Sequence, residues 1–151
     1  RGPKCPCGNR GCWERFASGA GVARLAREAA IAGRLPQLVA VVGDPEAVRG
    51  EDVTRAASEG SPEALAVVDE VGWWLAIGIS NMVAILDIGR VVIGGGLTQA
   101  ASLLIPAARK HLDGMVEGGD SRPPIEIVSA QFGEHAGAIG AAFLAAQSVS
   151  Q

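Results

Sequence analysis

Cysteine is almost missing from this chain: three residues in 151, all between positions 5 and 12. So few thiols, so tightly clustered and with no secretory signal ahead of them, do not make a disulfide scaffold. They suit a reducing cytoplasm and a metal. Charge is scarce as well. Only 19% of residues are charged and the net charge is −3, so there is no basic stripe of the kind a nucleic-acid-binding surface needs. Long apolar runs are absent. The most apolar stretch, Val71 to Leu86, is too short to span a bilayer comfortably and holds Ser80 and Asn81. It reads as a buried core helix. Neither G-x-x-x-x-G-K-[ST] nor G-x-G-x-x-G occurs, which leaves a P-loop and a dinucleotide fold unsupported. There is no internal repeat and no low-complexity tract. A hydrophobic content of 48% is that of a globular chain long enough to bury one core.

The cysteines stand in Lys4-Cys5-Pro6-Cys7-Gly8-Asn9-Arg10-Gly11-Cys12-Trp13-Glu14, spaced C-x-C-x4-C. Two glycines let the backbone fold tightly, and three thiolates so close can converge on one soft or borderline cation. Zinc is the usual one, and a closed structural site takes four ligands. The cluster offers three. The nearest downstream histidine, His111, is far away in sequence, so the fourth ligand could lie upstream of Arg1. A disulfide with one odd thiol, or a redox pair, is the competing reading.

Helices alternate with two strands along the rest of the chain. Trp13 to about Ala32 reads as one helix, with Phe16, Val22, Leu25 and Ala29 facing the core. Residues 33–50 carry clustered turn signals and read as loop. A short helix covers Glu51 to Glu59. Ser61 and Pro62 then start a long helix that runs to about Leu86, Ser61 as N-cap and Pro62 at the first helical position. Arg90 to Ile93 reads as a buried strand and Ile125 to Val128 as a second. Thr98 caps a helix that reaches about His111, and Ala136 to Ala146 forms a last, small-residue helix. Strand, glycine and helix twice over predict parallel α/β units.

Two further candidates emerge. Gly94-Gly95-Gly96 follows a strand and precedes a helix, a place where backbone can approach a ligand closely at the carboxyl end of a sheet. The competing reading is a tight turn that merely packs the helix on its strand. Glu14, two residues after Cys12, is either a carboxylate favouring a helix N-terminus or an acceptor for ligand hydroxyls. Asn81 reads as a satisfied core polar group and His111 as a surface residue at a helix end. One of Trp73 and Trp74 reads as core and the other as boundary.

The run Cys5-Pro6-Cys7-Gly8-Asn9-Arg10-Gly11-Cys12-Trp13-Glu14 resembles the C-x-C-G-x-x-G-C-x-E signature of the ROK family, bacterial sugar kinases and sugar-responsive repressors. Its wording is most similar to actinobacterial glucokinases. Leu86-Asp87-Ile88-Gly89-Arg90-Val91-Val92-Ile93-Gly94-Gly95-Gly96 resembles the family's D-P-x-x-I-V-I-G-G-G segment, with Ile88 in place of the proline. Ala136 to Ala142 resembles its closing glycine-rich helix. The three matches come in family order.

The resemblance implies an α/β fold, the C-terminal lobe of an actin-like, hexokinase-like (ribonuclease H-like) ATPase. Residues 1–14 would form an inserted zinc loop and residues 15–151 the helices and strands of the lobe. It implies structural zinc on Cys5, Cys7 and Cys12, a sugar contact at Glu14, and ATP with Mg²⁺ beside Gly94, Gly95 and Gly96. The implied activity is glucokinase, phosphorylation of glucose at its 6-hydroxyl in the cytoplasm, by an enzyme that assembles as a homo-oligomer. No residue here matches the family's general-base motif. The chain opens without methionine in the middle of the metal motif, so it is expected to be the C-terminal part of a longer protein, inactive alone. A sugar-sensing repressor is the alternative from the same family, and a zinc-stabilised interaction domain without catalysis is a third.

Overall fold

The computed structural model describes residues 2–149, so the outermost ends of the expected lobe, Arg1 and Gln151, lie outside the described residues. Six α-helices and two short strands stand among those residues. The cysteine loop runs into a 3-10 turn, Trp13–Arg15, followed by α1 (Gly19–Ile31), α2 (Pro36–Val42), α3 (Gly50–Ser58) and α4 (Pro62–Leu86). Strand β1 (Arg90–Ile93) leads through a 3-10 turn, Gly95–Ala100, into α5 (Ala101–Leu112). Strand β2 (Glu126–Ser129) leads through a similar turn, Gly133–His135, into α6 (Ala136–Val149). The two strands pair in parallel, Arg90 opposite Glu126 through Ile93 opposite Ser129. The α/β class and the parallel pairing are those the sequence predicts.

Helix α4 is the spine. It starts where its local chemistry says it must: the Ser61 hydroxyl accepts from the Ala64 N–H, and Pro62 supplies a preset φ where no N–H is needed. It ends at Asp87 in the left-handed region, φ 48°, a conformation aspartate tolerates better than most residues. The Asp87 carboxylate accepts from Arg122 at 3.0 Å. Between these ends Val67, Val71, Leu75, Ile79 and Val83 recur at helical spacing and are buried. α1 and α3 pack on one side of this row, and α5 makes the most extensive contact on another.

The α4–α5 crossing is close because side chains are missing from it. A Cβ at Gly72 would lie 2.5 Å from the Ala107 Cβ and 2.7 Å from the Ala107 carbonyl carbon. Leu104, Ala108 and Leu112 fill the flanks of the contact and are buried. At its rim Asp69 accepts from Lys110 Nζ at 2.8 Å and faces His111 Nε2 at 3.1 Å. The Lys110 hydrogen bond, with the nearby His111, holds the Asp69 carboxyl below its ordinary 3.8. His111 is thus a half-buried partner of α4 and not a bare surface residue at a helix end.

Several sequence expectations give way. The helix expected from Trp13 to Ala32 breaks, because Ser18 is extended (φ −134°) and its hydroxyl caps α1. The segment expected to be loop contains α2, started by Pro36 at its first turn. Thr98 is not an N-cap: its hydroxyl donates to the Gly95 carbonyl inside the 3-10 turn, and α5 begins three residues later. The second strand lies one residue further along than expected. Asn81 is exposed rather than satisfied in the core. The strand expected to be buried is buried only at Ile93, and Val92 is 59% exposed. Parallel strands bury both faces when both are covered by helices. Here one flank stays open, and Ile85 and Leu86 of α4 are exposed as well, as are Phe143 and Leu144 of α6 at 66% and 67%.

Gly72→Ala would force a methyl group into the crossing. Overpacking of this kind costs about 1–3 kcal/mol, against a helix-propensity gain of at most about 1 kcal/mol. Urea unfolding should show a lower midpoint at unchanged slope. A midpoint equal to or above that of the parent would mean that the two helices are not in backbone contact at this point.

Candidate functional site

The cysteine loop is a small knuckle. Lys4 and Arg10 form an antiparallel bridge, the Cys5 N–H donates to the Asn9 carbonyl at 2.9 Å, and the Gly8 N–H donates back to Cys5 at 3.0 Å. Gly8 and Gly11 take φ of +93° and +71°, which a side chain would resist. The turn brings the three sulfurs within 4.8 Å of one another, with Cys7 Sγ and Cys12 Sγ 3.6 Å apart. Tetrahedral bonds of about 2.3 Å to one zinc ion would set sulfurs about 3.8 Å apart, so the donor set and its spacing suit a thiophilic cation. Among the described residues no histidine or carboxylate joins this group.

The thiols do not share protons equally. The Asn9 backbone N–H, then the Cys5 and Cys12 thiols, stabilise a Cys7 thiolate and lower its pKa. Cys12, donating to Cys7 and Cys5, is pushed up to about 11. One sulfur is therefore a ready ligand, and a cation would displace the proton held by its neighbour.

Immediately after Cys12 the chain makes the 3-10 turn, and three of the four residues Trp13 to Phe16 are fastened to helices. Trp13 Nε1 donates to the Trp74 carbonyl of α4 at 2.7 Å. The Arg15 carbonyl accepts from Arg24 Nε of α1 at 3.1 Å. The Phe16 ring stacks on Trp74 at 4.0 Å between centroids, with the Arg24 guanidinium 4.8 Å above it. Trp74 also meets Trp73 edge to face, so the half-buried ring of the pair is Trp74 and the boundary ring is Trp73. The fourth residue, Glu14, is exposed. Among the described residues its carboxylate has one hydrogen-bond partner, the Ser18 hydroxyl, which donates to Oε1 at 3.0 Å. The same hydroxyl accepts from the Gly21 N–H and so caps α1. Ser18 and Trp13 are the residues that sequence reasoning missed. The only signal for Ser18 was a serine three residues ahead of a glycine at the start of an apolar periodicity.

The triple glycine stands elsewhere, at the carboxyl end of β1. Gly94 is extended, Gly95 has φ +68°, and the Gly95–Ala100 turn lies against the Gly133–His135 turn that follows β2. Gly95 is required by its backbone. Gly96 is not, and space beside it is open. Both strands thus deliver a glycine turn to the same edge, the edge at which α/β sheets bind ligands. A cavity of about 880 Å³ between Arg109, Leu112, Val116, Arg122 and Ile125 opens at the other end of β2 and includes none of the expected site residues.

Comparison with known proteins points one way. A sequence profile described as the ROK family matches residues 1–148. The chain is 34% identical over 146 residues to a glucokinase of Streptomyces coelicolor, covering 93% of this chain and 45% of that protein. The crystal structure of a ROK family glucokinase from Streptomyces griseus in complex with glucose and AMPPNP is similar over 97% of this chain and 48% of that one, with a TM-score of 0.86 and 33% identity. A xylose repressor of Bacillus subtilis is 25% identical over 141 residues, 92% of this chain and 32% of the repressor. The chain spans about half the length of the glucokinases it matches.

Proposed function

The chain belongs to the ROK family, and from that membership we propose that it is the C-terminal part of an ATP-dependent glucokinase. One observation carries the reading to specific residues. Glu14 is exposed on a turn whose other residues are fastened to helices, and it lies two residues after Cys12 of a cluster that a metal would lock. A carboxylate so placed can accept two hydrogen bonds from a sugar's hydroxyls, each stronger than one between neutral groups. Gly94, Gly95 and Gly96 would let the adenosine part of ATP rest on bare backbone. Mg²⁺ would accompany the phosphates.

In the reaction the sugar 6-hydroxyl gives up its proton to a general base, its oxygen bonds to the γ-phosphorus, and the bond to the β-phosphate oxygen breaks to release ADP. The base is an aspartate supplied from outside this chain. Zinc, held by Cys5, Cys7, Cys12 and a histidine outside the chain, would cross-link the knuckle and take no part in phosphoryl transfer. A reducing, cytoplasmic setting fits three unpaired thiols. No helix among the described residues is long and apolar enough to cross a membrane. The xylose repressor's likeness favours a second reading, a sugar-responsive repressor with the same sugar contact and no catalysis.

The complete protein should contain about one zinc ion per chain by elemental analysis. Absence of zinc, or a disulfide among the three cysteines, would return the knuckle to a redox pair. Glu14→Gln keeps the shape and removes the charge. Losing a charge-assisted contact of about 1.5–3 kcal/mol should raise the KM for glucose by one to two orders of magnitude, about tenfold per 1.4 kcal/mol, with zinc retained. Unchanged glucose kinetics would leave Glu14 a helix-start residue. A protein that binds glucose but never phosphorylates it would favour the repressor.

Gly96→Val tests the nucleotide without straining the backbone, since only Gly95 of the pair has positive φ. The KM for ATP should rise well before that for glucose. Normal ATP dependence would make the triple glycine a packing turn.

A further inference from the structure

Helix α4 carries a second glycine with a purpose unlike that of Gly72. A Cβ built at Gly78 would lie 2.1 Å from Trp13 Cε2 and Cζ2 and 2.7 Å from its Nε1. The indole therefore lies directly on the helix backbone, in a notch that exists only because position 78 has no side chain. The hydrogen bond of Trp13 goes to the carbonyl of Trp74, one turn earlier on the same helix. Shape and hydrogen bond fix the ring together, and Trp13 is the residue next to Glu14.

We propose that Trp13 is the positioning residue for the Glu14 carboxylate, with the Gly78 notch of α4 as its seat. The proposal rests on the reading of Glu14 as a sugar contact. The turn is too short to absorb a displaced indole, since it comprises only Trp13–Arg15. Moving the ring off α4 swings the next residue with it. The remaining fastenings, Arg24 on the Arg15 carbonyl and Phe16 on Trp74, hold the turn's far end and leave Glu14 as the point that moves. Displacements of about 1 Å at a positioned group are enough to cost up to about a hundredfold in function. α4 thereby links the knuckle and the sugar contact to the helix core.

The test uses the complete protein and steady-state kinetics with glucose and with ATP. Trp13→Phe keeps a ring and removes the N–H. Gly78→Ala fills the notch. Each should raise the KM for glucose about tenfold, leave the KM for ATP within about twofold, and retain zinc. In the Trp13→Phe background the further loss from Glu14→Gln should shrink to about twofold, because a carboxylate already out of place has little left to lose. If Glu14→Gln impairs glucose binding while Trp13→Phe and Gly78→Ala do not, the positioning role is wrong and the sugar contact stands. If Glu14→Gln has no effect, the sugar contact itself is wrong and the proposal falls with it. Equal losses toward glucose and ATP, or losses that simply multiply in the double variant, mean that Trp13 serves stability alone and also overturn it. Should Gly78→Ala fail to fold, Trp13→Phe and its double variant decide the matter.

Discussion

Helices α1, α3 and α5 all pack on α4, and α4 can be approached closely because two of its residues have no side chain. A 25-residue helix is a rod, and a rod can organise neighbours on several sides only if each finds a place to sit. At Gly72 the neighbour is α5, brought to within methyl-contact distance. At Gly78 it is the indole that leads out of the cysteine knuckle. Glycine inside a helix gives up roughly 0.5–1 kcal/mol relative to alanine. Two such residues in one helix interior are a recurring destabilisation, offset by the burial of Leu104, Ala108 and Leu112 on one side and by ring stacking and a hydrogen bond on the other.

The knuckle and the turn after it divide the work between them. The knuckle is held by its own backbone bonds and by whatever cation its sulfurs would accept. The turn is tied to the helices through the Trp74 carbonyl, the Trp74 ring and Arg24, and to the knuckle through the Arg15 N–H on the Cys12 carbonyl. Glu14 lies at the junction, so its direction is set from both sides. A carboxylate on a free loop would lose side-chain and backbone entropy on meeting a ligand, and here most of the backbone share has been lost at folding.

The parts of this arrangement that were readable from sequence are those settled within a few residues. Ser61, Pro62 and the apolar period after them gave α4 its start and length. C-x-C-x4-C gave a cluster of thiols, and alternating strand and helix signals gave parallel pairing. What could not be read depends on partners distant in the chain. Trp13 looks like any aromatic at a helix start until its hydrogen bond to Trp74, 61 residues on, is seen. Gly78 looks like an ordinary weak point in a helix. Val91-Val92-Ile93 reads as buried because an apolar run says nothing about whether both faces of its sheet are covered. Thr98 matches the chemistry of a helix cap, but its hydroxyl finds the Gly95 carbonyl first.

The Ser18 hydroxyl serves two masters by different means. Its proton goes to Glu14, while a lone pair receives the Gly21 N–H that starts α1. A hydroxyl's proton and its lone pairs can be engaged separately. If the carboxylate turned away, Ser18 could give up its proton bond, rotate the proton to solvent, and keep the helix capped throughout. The orientation of the Glu14 carboxylate is thus insulated from the integrity of the helix beside it.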